Sequence, residues 1–159
     1  MKLFIRNTAA IILFSTAFIS CKPSLQNQLA DKIKQDCGVD PTGDCRIALA
    51  NVTTFKWDRM YLFEYGIISD SISSRIGFKY SGDNIPSDTQ RIIFTDGKQV
   101  VYEENFDYLN GDKEVQFNDS DDTLFTGKKY CTPAKAIFKV WRDKEKKHSE
   151  YYLTRVATK

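Results

Sequence analysis

The chain has 159 residues and one histidine, and its 23 lysine and arginine residues nearly balance its 21 aspartate and glutamate residues. This length fits one domain, and a hydrophobic fraction of 42% excludes a disordered chain. The net charge of +2 and the lack of a basic cluster argue against nucleic-acid binding, and the single histidine argues against a multi-histidine metal site.

Residues 1–20 have the features of a secretory signal peptide. Lys2 and Arg6 supply positive charge, and residues 8–20 form an uncharged, mainly apolar stretch of 13 residues, shorter than the roughly 20 residues that cross a bilayer. The end of this stretch resembles a bacterial lipoprotein signal, in which a small residue precedes a cysteine that is acylated and becomes the mature N-terminus. Cys21 follows a serine and fits this pattern. We therefore expect the signal peptide to be removed and Cys21 to be lipidated.

The alternative is ordinary signal-peptidase cleavage after Ala17, because Ser15, Thr16 and Ala17 also suit that enzyme. Cys21 would then be a thiol in a soluble secreted protein, whereas two or more acyl chains would anchor it stably in a membrane. Lys22 replaces the aspartate that favours inner-membrane retention, so we expect a cell-envelope protein at the outer membrane, facing the periplasm. Loss of the signal removes two of the 23 basic residues, which leaves 21 against 21 acidic residues and a neutral mature chain.

A helix is predicted with Ser24 as its N-cap and Gly38 just beyond its end. Its apolar residues recur every four positions, which places them on one stripe: Leu25, Leu29, Ile33 and Cys37. The segment from Cys37 to Cys45 contains turn-forming glycine and proline, and we expect a Cys37–Cys45 disulfide in the oxidising envelope. A long-range bond from Cys131 is the alternative, and the C-x7-C spacing does not match a zinc site.

The middle of the chain carries signals for both strands and a helix. Apolar and aromatic runs predict strands at residues 46–50 and 57–65. A short helix is predicted from residues 69–71 to Gly77. Residues 91–102 contain two apolar runs around an Asp-Gly pair, the signature of a hairpin with a type I′ turn.

Four more short strands are predicted in the last third of the chain, at residues 114–117, 123–125, 136–141 and 150–156. Strands grouped without alternating helices favour antiparallel pairing over a parallel sheet. We therefore predict for residues 21–159 a single α+β lipoprotein domain. Its N-terminal helix and short second helix would pack on an antiparallel sheet of about six to seven strands.

An aromatic pattern, F-x-W-D-x-x-Y-x-F, is formed by Phe55, Trp57, Asp58, Tyr61 and Phe63. Two further features accompany it: Ile-Gly-Phe at residues 76–78, after the short helix, and I-I-F…G-K…V at residues 92–100. Together they resemble a family of small uncharacterised bacterial lipoproteins, over roughly residues 37–140. The resemblance implies a cell-envelope lipoprotein and no particular activity.

Trp57, Asp58, Tyr61 and Phe63 are the candidate binding residues. On one interpretation, Trp57 and the nearby aromatic rings are anchors of a recognition surface. On the other, Trp57 packs in the core and Asp58 bonds to nearby backbone or to Arg59. The sequence favours the second interpretation without excluding the first.

Other chemistry-bearing residues give weaker signals. Cys131 and His148 are a candidate nucleophile and base, but His148 lies in a charged hairpin tip. The acidic residues 118–122 lack the glycine and distal glutamate of a calcium loop. The basic residues among 142–147 suit lipid headgroups, but acidic neighbours dilute their charge. We therefore expect no enzymatic activity, no cofactor and no metal.

Two functional hypotheses follow from these observations. The first is a non-enzymatic lipoprotein that binds the membrane through acylated Cys21 and binds another protein in an inhibitor, immunity or assembly role, with no nucleic-acid partner. The alternative is a small-ligand-binding lipoprotein whose aromatic pocket lies between sheet and helix and is lined by Trp57, Tyr61 and Phe63.

Overall fold

The computed structural model describes residues 23–107, 115–118, 130–142 and 151–156. Within these ranges the chain forms two α-helices and seven strands: α1 Leu25–Cys37, β1 Thr42–Ala48, β2 Arg59–Phe63, α2 Ser69–Ile76, β3 Thr89–Asp96, β4 Gln99–Asp107, β5 Val115–Phe117, β6 Ile137–Arg142 and β7 Tyr151–Arg155. The fold is α+β, as predicted. The predicted signal peptide, Cys21 and the strand at residues 123–125 lie outside the described residues.

The seven described strands form two sheets, which corrects the single antiparallel sheet expected from the sequence. One sheet has the order β1-β6-β7-β5 and the other β2-β3-β4. All strand pairs are antiparallel except β5 and β7, which run parallel. The central strand β3 is buried at seven consecutive positions, from Thr89 to Thr95. A strand buried on both faces needs a packed layer on each side, which a single sheet with one solvated face cannot provide.

Two clusters of buried side chains cover the opposite faces of the three-stranded sheet. Met60 and Leu62 of β2 belong to the main cluster, together with α1 and residues of the four-stranded sheet. Tyr61 and Phe63, which alternate with them along β2, belong to the second cluster, together with Ile72 and Ile76 of α2. This arrangement follows from the two-residue period of side chains in a strand. The order of layers is therefore α2, the three-stranded sheet, the main core and the four-stranded sheet, with α1 also packed on the main core.

Helix α1 begins and ends as the sequence predicts. The Ser24 hydroxyl accepts a hydrogen bond from the Asn27 N–H at 3.2 Å. Leu25, Leu29 and Ile33 of the apolar stripe are buried in the main cluster, and Cys37 is partly buried against it. The chain leaves the helix at Gly38, whose φ of +75° favours glycine. The predicted Cys37–Cys45 disulfide is present and joins the end of α1 to β1.

The β3–β4 hairpin forms, but its turn lies one residue later than predicted. Asp96 pairs with Gln99, so the two loop residues are Gly97 and Lys98 rather than an Asp-Gly pair. Gly97 supplies the positive φ, at +61°, while Asp96 stays in the ladder. Phe94 pairs with Tyr102 and Thr95 with Val100, so the residue between them forms a bulge that restores the register.

Two predicted strands have different bounds in the structure. The strand expected at residues 46–50 begins earlier, at Thr42, because β6 continues alongside it, and its expected end is a 3-10 turn over Leu49–Asn51. The strand expected at residues 57–65 is limited to Arg59–Phe63, the five residues that pair with β3.

Candidate functional site

Three of the four predicted binding residues are buried. Trp57 is 6% exposed, Tyr61 2% and Phe63 0%. Trp57 lies in the main cluster, with its ring edge-on to Phe94 at a centroid distance of 4.9 Å, whereas Tyr61 and Phe63 lie in the second cluster on the other face of the sheet. The three rings therefore do not meet around a shared pocket, and each packs as a core residue.

Asp58, the fourth of these residues, binds the tip of the β3–β4 hairpin. Its Oδ1 accepts a hydrogen bond from the Thr95 hydroxyl at 3.0 Å, and its Oδ2 accepts one from the Gly97 N–H at 3.1 Å. The neighbouring Trp57 indole N–H donates to the Thr53 hydroxyl at 2.9 Å. Trp57 therefore packs in the core, as the second interpretation of this motif has it. Asp58, by contrast, bonds to the hairpin tip, 37 and 39 residues away in the sequence, rather than to nearby backbone or to Arg59.

A buried arginine, which the sequence analysis did not single out, lies at the centre of a polar network. Arg91 is 6% exposed. Its Nε donates to the Asn105 side-chain oxygen at 2.7 Å, and its Nη1 donates to the Tyr80 hydroxyl at 2.8 Å and to the Asp83 carbonyl at 2.6 Å. The Tyr80 hydroxyl in turn donates to Glu103 Oε2 at 2.5 Å. Hydrogen bonding of this kind makes a buried guanidinium tolerable.

The Tyr80 ring is fixed by its surroundings as well as by its hydroxyl. Burial and the hydrogen bond to Glu103 raise the pKa of Tyr80 to about 12, so its hydroxyl stays protonated and remains a donor. A Cβ at Gly82 would lie 2.2 Å from the Tyr80 hydroxyl oxygen, so only glycine leaves room for the ring there. Two features of the sequence could have indicated this network. One is a charged residue, Arg91, at the start of an apolar strand, and the other is Gly82 in the polar loop before it.

A cleft of about 550 Å³ lies beside this network. One wall is the segment from Phe78 to Gly82, and the other is formed by residues of the hairpin: Lys98, Gln99, Val100 and Glu103. Among the described residues, neither Lys79 nor Lys98 forms an ion pair, whereas Lys56, outside the cleft, lies 3.2 Å from Asp96. The acidic residue of the lining, Glu103, accepts the hydrogen bond of Tyr80. The cleft is therefore lined by two lysines that have no ion pair among the described residues and by one carboxylate that is hydrogen-bonded to Tyr80.

A second polar cluster attaches the start of α1 to β4. The Leu25 N–H donates to Glu104 Oε2 at 2.6 Å and to the Tyr102 hydroxyl at 3.0 Å, and the Gln26 N–H donates to Glu104 Oε1 at 3.4 Å. The Tyr102 hydroxyl also donates to Glu104. Burial and this bond raise the pKa of Tyr102 to about 12. A carboxylate at a helix N-terminus satisfies N–H groups that have no partner within the helix.

The remaining candidates contribute little to a site. His148 and residues 119–122 lie outside the described residues, while Cys131 is buried and its backbone pairs with Met60 of β2. In the part of the chain that the structure describes, no group of three histidine, cysteine, aspartate or glutamate residues could hold a metal ion. The helices found there are also too short or too polar to cross a membrane.

Comparisons with known proteins give no relative. No protein-family model, no curated protein and no solved structure matches this chain.

Proposed function

We propose that the chain is a cell-envelope lipoprotein, with a single domain over residues 21–159, that is anchored through acylated Cys21 and binds another protein without catalysis. The observation that carries this proposal is the attachment of α1. The helix begins at Leu25, four residues after Cys21, and the backbone N–H of Leu25 is bonded to Glu104 of β4. With a lipid on Cys21, the folded structure would begin four residues from the anchor. The domain would therefore be held close to the membrane and to the proteins around it.

The distribution of unused surface supports binding of a protein rather than catalysis. Strand β4 lies at an edge of its sheet, so one side of its backbone has no strand partner among the described residues. Unpaired strand edges are sites where other chains attach. The cleft with Lys79 and Lys98 lies next to this edge. An inhibitor, an immunity protein or an assembly factor would use such a surface.

Intact mass of the mature protein tests the anchor. We expect wild-type protein in the membrane fraction, beginning at Cys21 and carrying the mass of its acyl chains. Cys21→Ser should lose both the added mass and the membrane location. The matched control is Cys37→Ser with Cys45→Ser, which removes two other thiols and should keep the lipid. A mature chain that begins at residue 18 with an unmodified Cys21 would contradict the proposal and support cleavage after Ala17.

Crosslinking in intact envelopes tests the protein partner. We expect the anchored wild-type protein to form one stoichiometric adduct with a specific protein, and the Cys21→Ser variant to form less of it because it is no longer held at the membrane. Repeated recovery of abundant porins alone would contradict this role.

A small-ligand-binding lipoprotein is the second candidate, and the observation in its favour is the cleft of about 550 Å³. Its size lies within the roughly 300–1,000 Å³ of ordinary ligand pockets. In this candidate the ligand would bind in the polar cleft rather than in the predicted aromatic pocket, because Trp57, Tyr61 and Phe63 are buried in the core. A thermal-shift screen of small anions that gives no stabilisation would remove it.

A further inference from the structure

We infer that the cleft between residues 78–82 and β4 binds an extended, acidic segment of the partner protein. This inference rests on the proposed function, because it specifies which part of a partner the anchored domain would hold. Three properties of the cleft support it: its charge, its fixed floor and its position at a sheet edge.

The charge of the cleft favours an anionic occupant. Lys79 lies on one wall and Lys98 on the other, both exposed and both without an ion pair among the described residues. Lys32 and Lys56 have carboxylate partners, Asp36 at 3.1 Å and Asp96 at 3.2 Å, whereas the exposed Lys135 and Lys139 also have no ion pair among the described residues. What distinguishes Lys79 and Lys98 is that both line the same cleft. Two ammonium groups that face one cleft repel each other, and a carboxylate placed between them would be attracted to both.

The floor of the cleft is fixed before a ligand arrives. Tyr80 lies between the buried Arg91 guanidinium and Glu103, bonded to both. Glu103 is therefore engaged in this network and does not neutralise the lysines by direct pairing. A preformed site loses little conformational entropy on binding, which favours affinity.

The edge position favours an extended chain over a compact ligand. Residues 98–100 of the cleft wall lead directly into β4, which has a strand partner on one side only among the described residues and whose bulged Val101 is 38% exposed. A peptide can add to such an edge through main-chain hydrogen bonds, while side-chain pockets provide specificity. Carboxylates of the added segment would then reach the Lys79 and Lys98 ammonium groups.

Fluorescence anisotropy with a labelled, capped hexaglutamate peptide tests the inference on the complete mature protein in neutral detergent. We expect saturable binding that weakens with added salt, and no binding of a hexaglutamine peptide. Lys79→Gln with Lys98→Gln should weaken hexaglutamate binding by at least about tenfold. Lys135→Gln with Lys139→Gln removes the same charge from two exposed lysines outside the cleft that have no ion pair among the described residues, and it should change binding less than about twofold. Equal weakening by both double variants, or no saturable binding by wild type, would overturn the inference.

Two further measurements separate this inference from its rivals. Phosphatidylglycerol vesicles that bind through Lys79 and Lys98, when hexaglutamate does not bind, would overturn it in favour of a lipid headgroup. A photo-crosslinker at Gln99, in the cleft, should capture the partner in envelopes, and one at Asp31, on the exposed side of α1, should not. Capture of the partner from Asp31 alone would show that the cleft is not the binding site, while leaving the anchored, protein-binding role intact. Circular dichroism of each variant checks that it is folded.

Discussion

Two tyrosine hydroxyls make equivalent contacts on opposite faces of β4. Tyr80 donates to Glu103 in the network beside the cleft, and Tyr102 donates to Glu104 in the cluster that caps α1. Because successive residues of a strand face opposite ways, these neighbouring glutamates serve the two sides of one sheet. Each hydroxyl must stay protonated to donate.

We expect the domain to lose stability at alkaline pH through these two residues. Burial raises the pKa of Tyr80 and of Tyr102 to about 12 from the ordinary value of 10.0. Between these values the folded state keeps protons that the unfolded chain has lost, so the free energy of unfolding falls as pH rises, while it is unaffected below pH 10. Urea-unfolding midpoints measured on both sides of this window check the effect.

The alkaline loss should be smaller in Tyr80→Phe and in Tyr102→Phe than in wild type. Tyr65→Phe is the control, because Tyr65 is 59% exposed and should leave the loss unchanged. A wild-type midpoint that does not fall above pH 10, the ordinary tyrosine value, would contradict the assignment of these hydroxyls as buried donors.

At the same scale, Glu104→Gln should weaken the N-terminal end of α1. The amide keeps the shape of the side chain but loses the charge that binds the Leu25 and Gln26 N–H groups. We expect a loss of about 1 kcal/mol in the free energy of unfolding and faster hydrogen exchange in the first turn of α1. Asp31→Asn, the same chemical change on the exposed side of α1, should have little effect. Equal effects of the two variants would contradict the cap.

At the scale of elements, the disulfide should stabilise the connection from α1 to β1. Its cysteines are separated by 8 positions in the sequence. Replacing both Cys37 and Cys45 with serine should lower the free energy of unfolding by about 2–3 kcal/mol, by the chain-entropy model. Urea unfolding of wild type with and without reductant gives the same comparison without mutation. An unchanged midpoint in both experiments would contradict a stabilising role.

The elements that the sequence predicted well are those specified by neighbouring residues. Ser24, a four-residue apolar period and Gly38 define α1 within one stretch of chain, and Gly77, with φ at +83°, ends α2 in the same local way. The Cys37–Cys45 bond also closes a short loop. Such signals depend on local geometry that the residues themselves determine.

The features that were missed depend on how strands pair and on which of their faces are covered, which local composition does not determine. A hairpin signal fixes that two strands pair, but the bulge opposite Thr95 moved the turn to Gly97 and Lys98. The division into two sheets depends on which faces are covered, and alternating polarity cannot show this for a strand buried on both sides, such as β3. Parallel pairing of β5 with β7 likewise joins distant segments.

The candidate site was predictable only in part, for the same reason. The aromatic motif around Trp57 predicted either a core or a binding surface, because large rings anchor both and composition does not separate the two roles. The network of Arg91, Tyr80 and Glu103 joins three separate segments, so no local pattern indicates it.

At the scale of the whole molecule, a lipid on Cys21 should orient the domain. Four residues of extended chain span at most about 14 Å, so the first turn of α1 must lie within that distance of the anchored residue. The 13-residue helix is about 20 Å long, so its C-terminal end can lie much farther from the anchored residue than its first turn does. In vesicles, we expect a fluorophore at Asn27 to be quenched more strongly by lipid-borne quenchers than one at Val39. Equal quenching would indicate that α1 lies flat on the membrane.

The cap on α1 also sets an order of events for a chain that is exported N-terminus first. Leu25 would emerge 79 residues before Glu104, the carboxylate that binds its N–H group. A 13-residue helix in isolation is marginally stable in water, so α1 cannot rely on its own hydrogen bonds during that interval. On the proposed export and lipidation of this chain, the start of α1 would thus be fixed only after the β3–β4 hairpin has crossed the membrane. A chaperone or a lipid-attaching enzyme would meet that segment in a flexible form, before the folded domain closes over it.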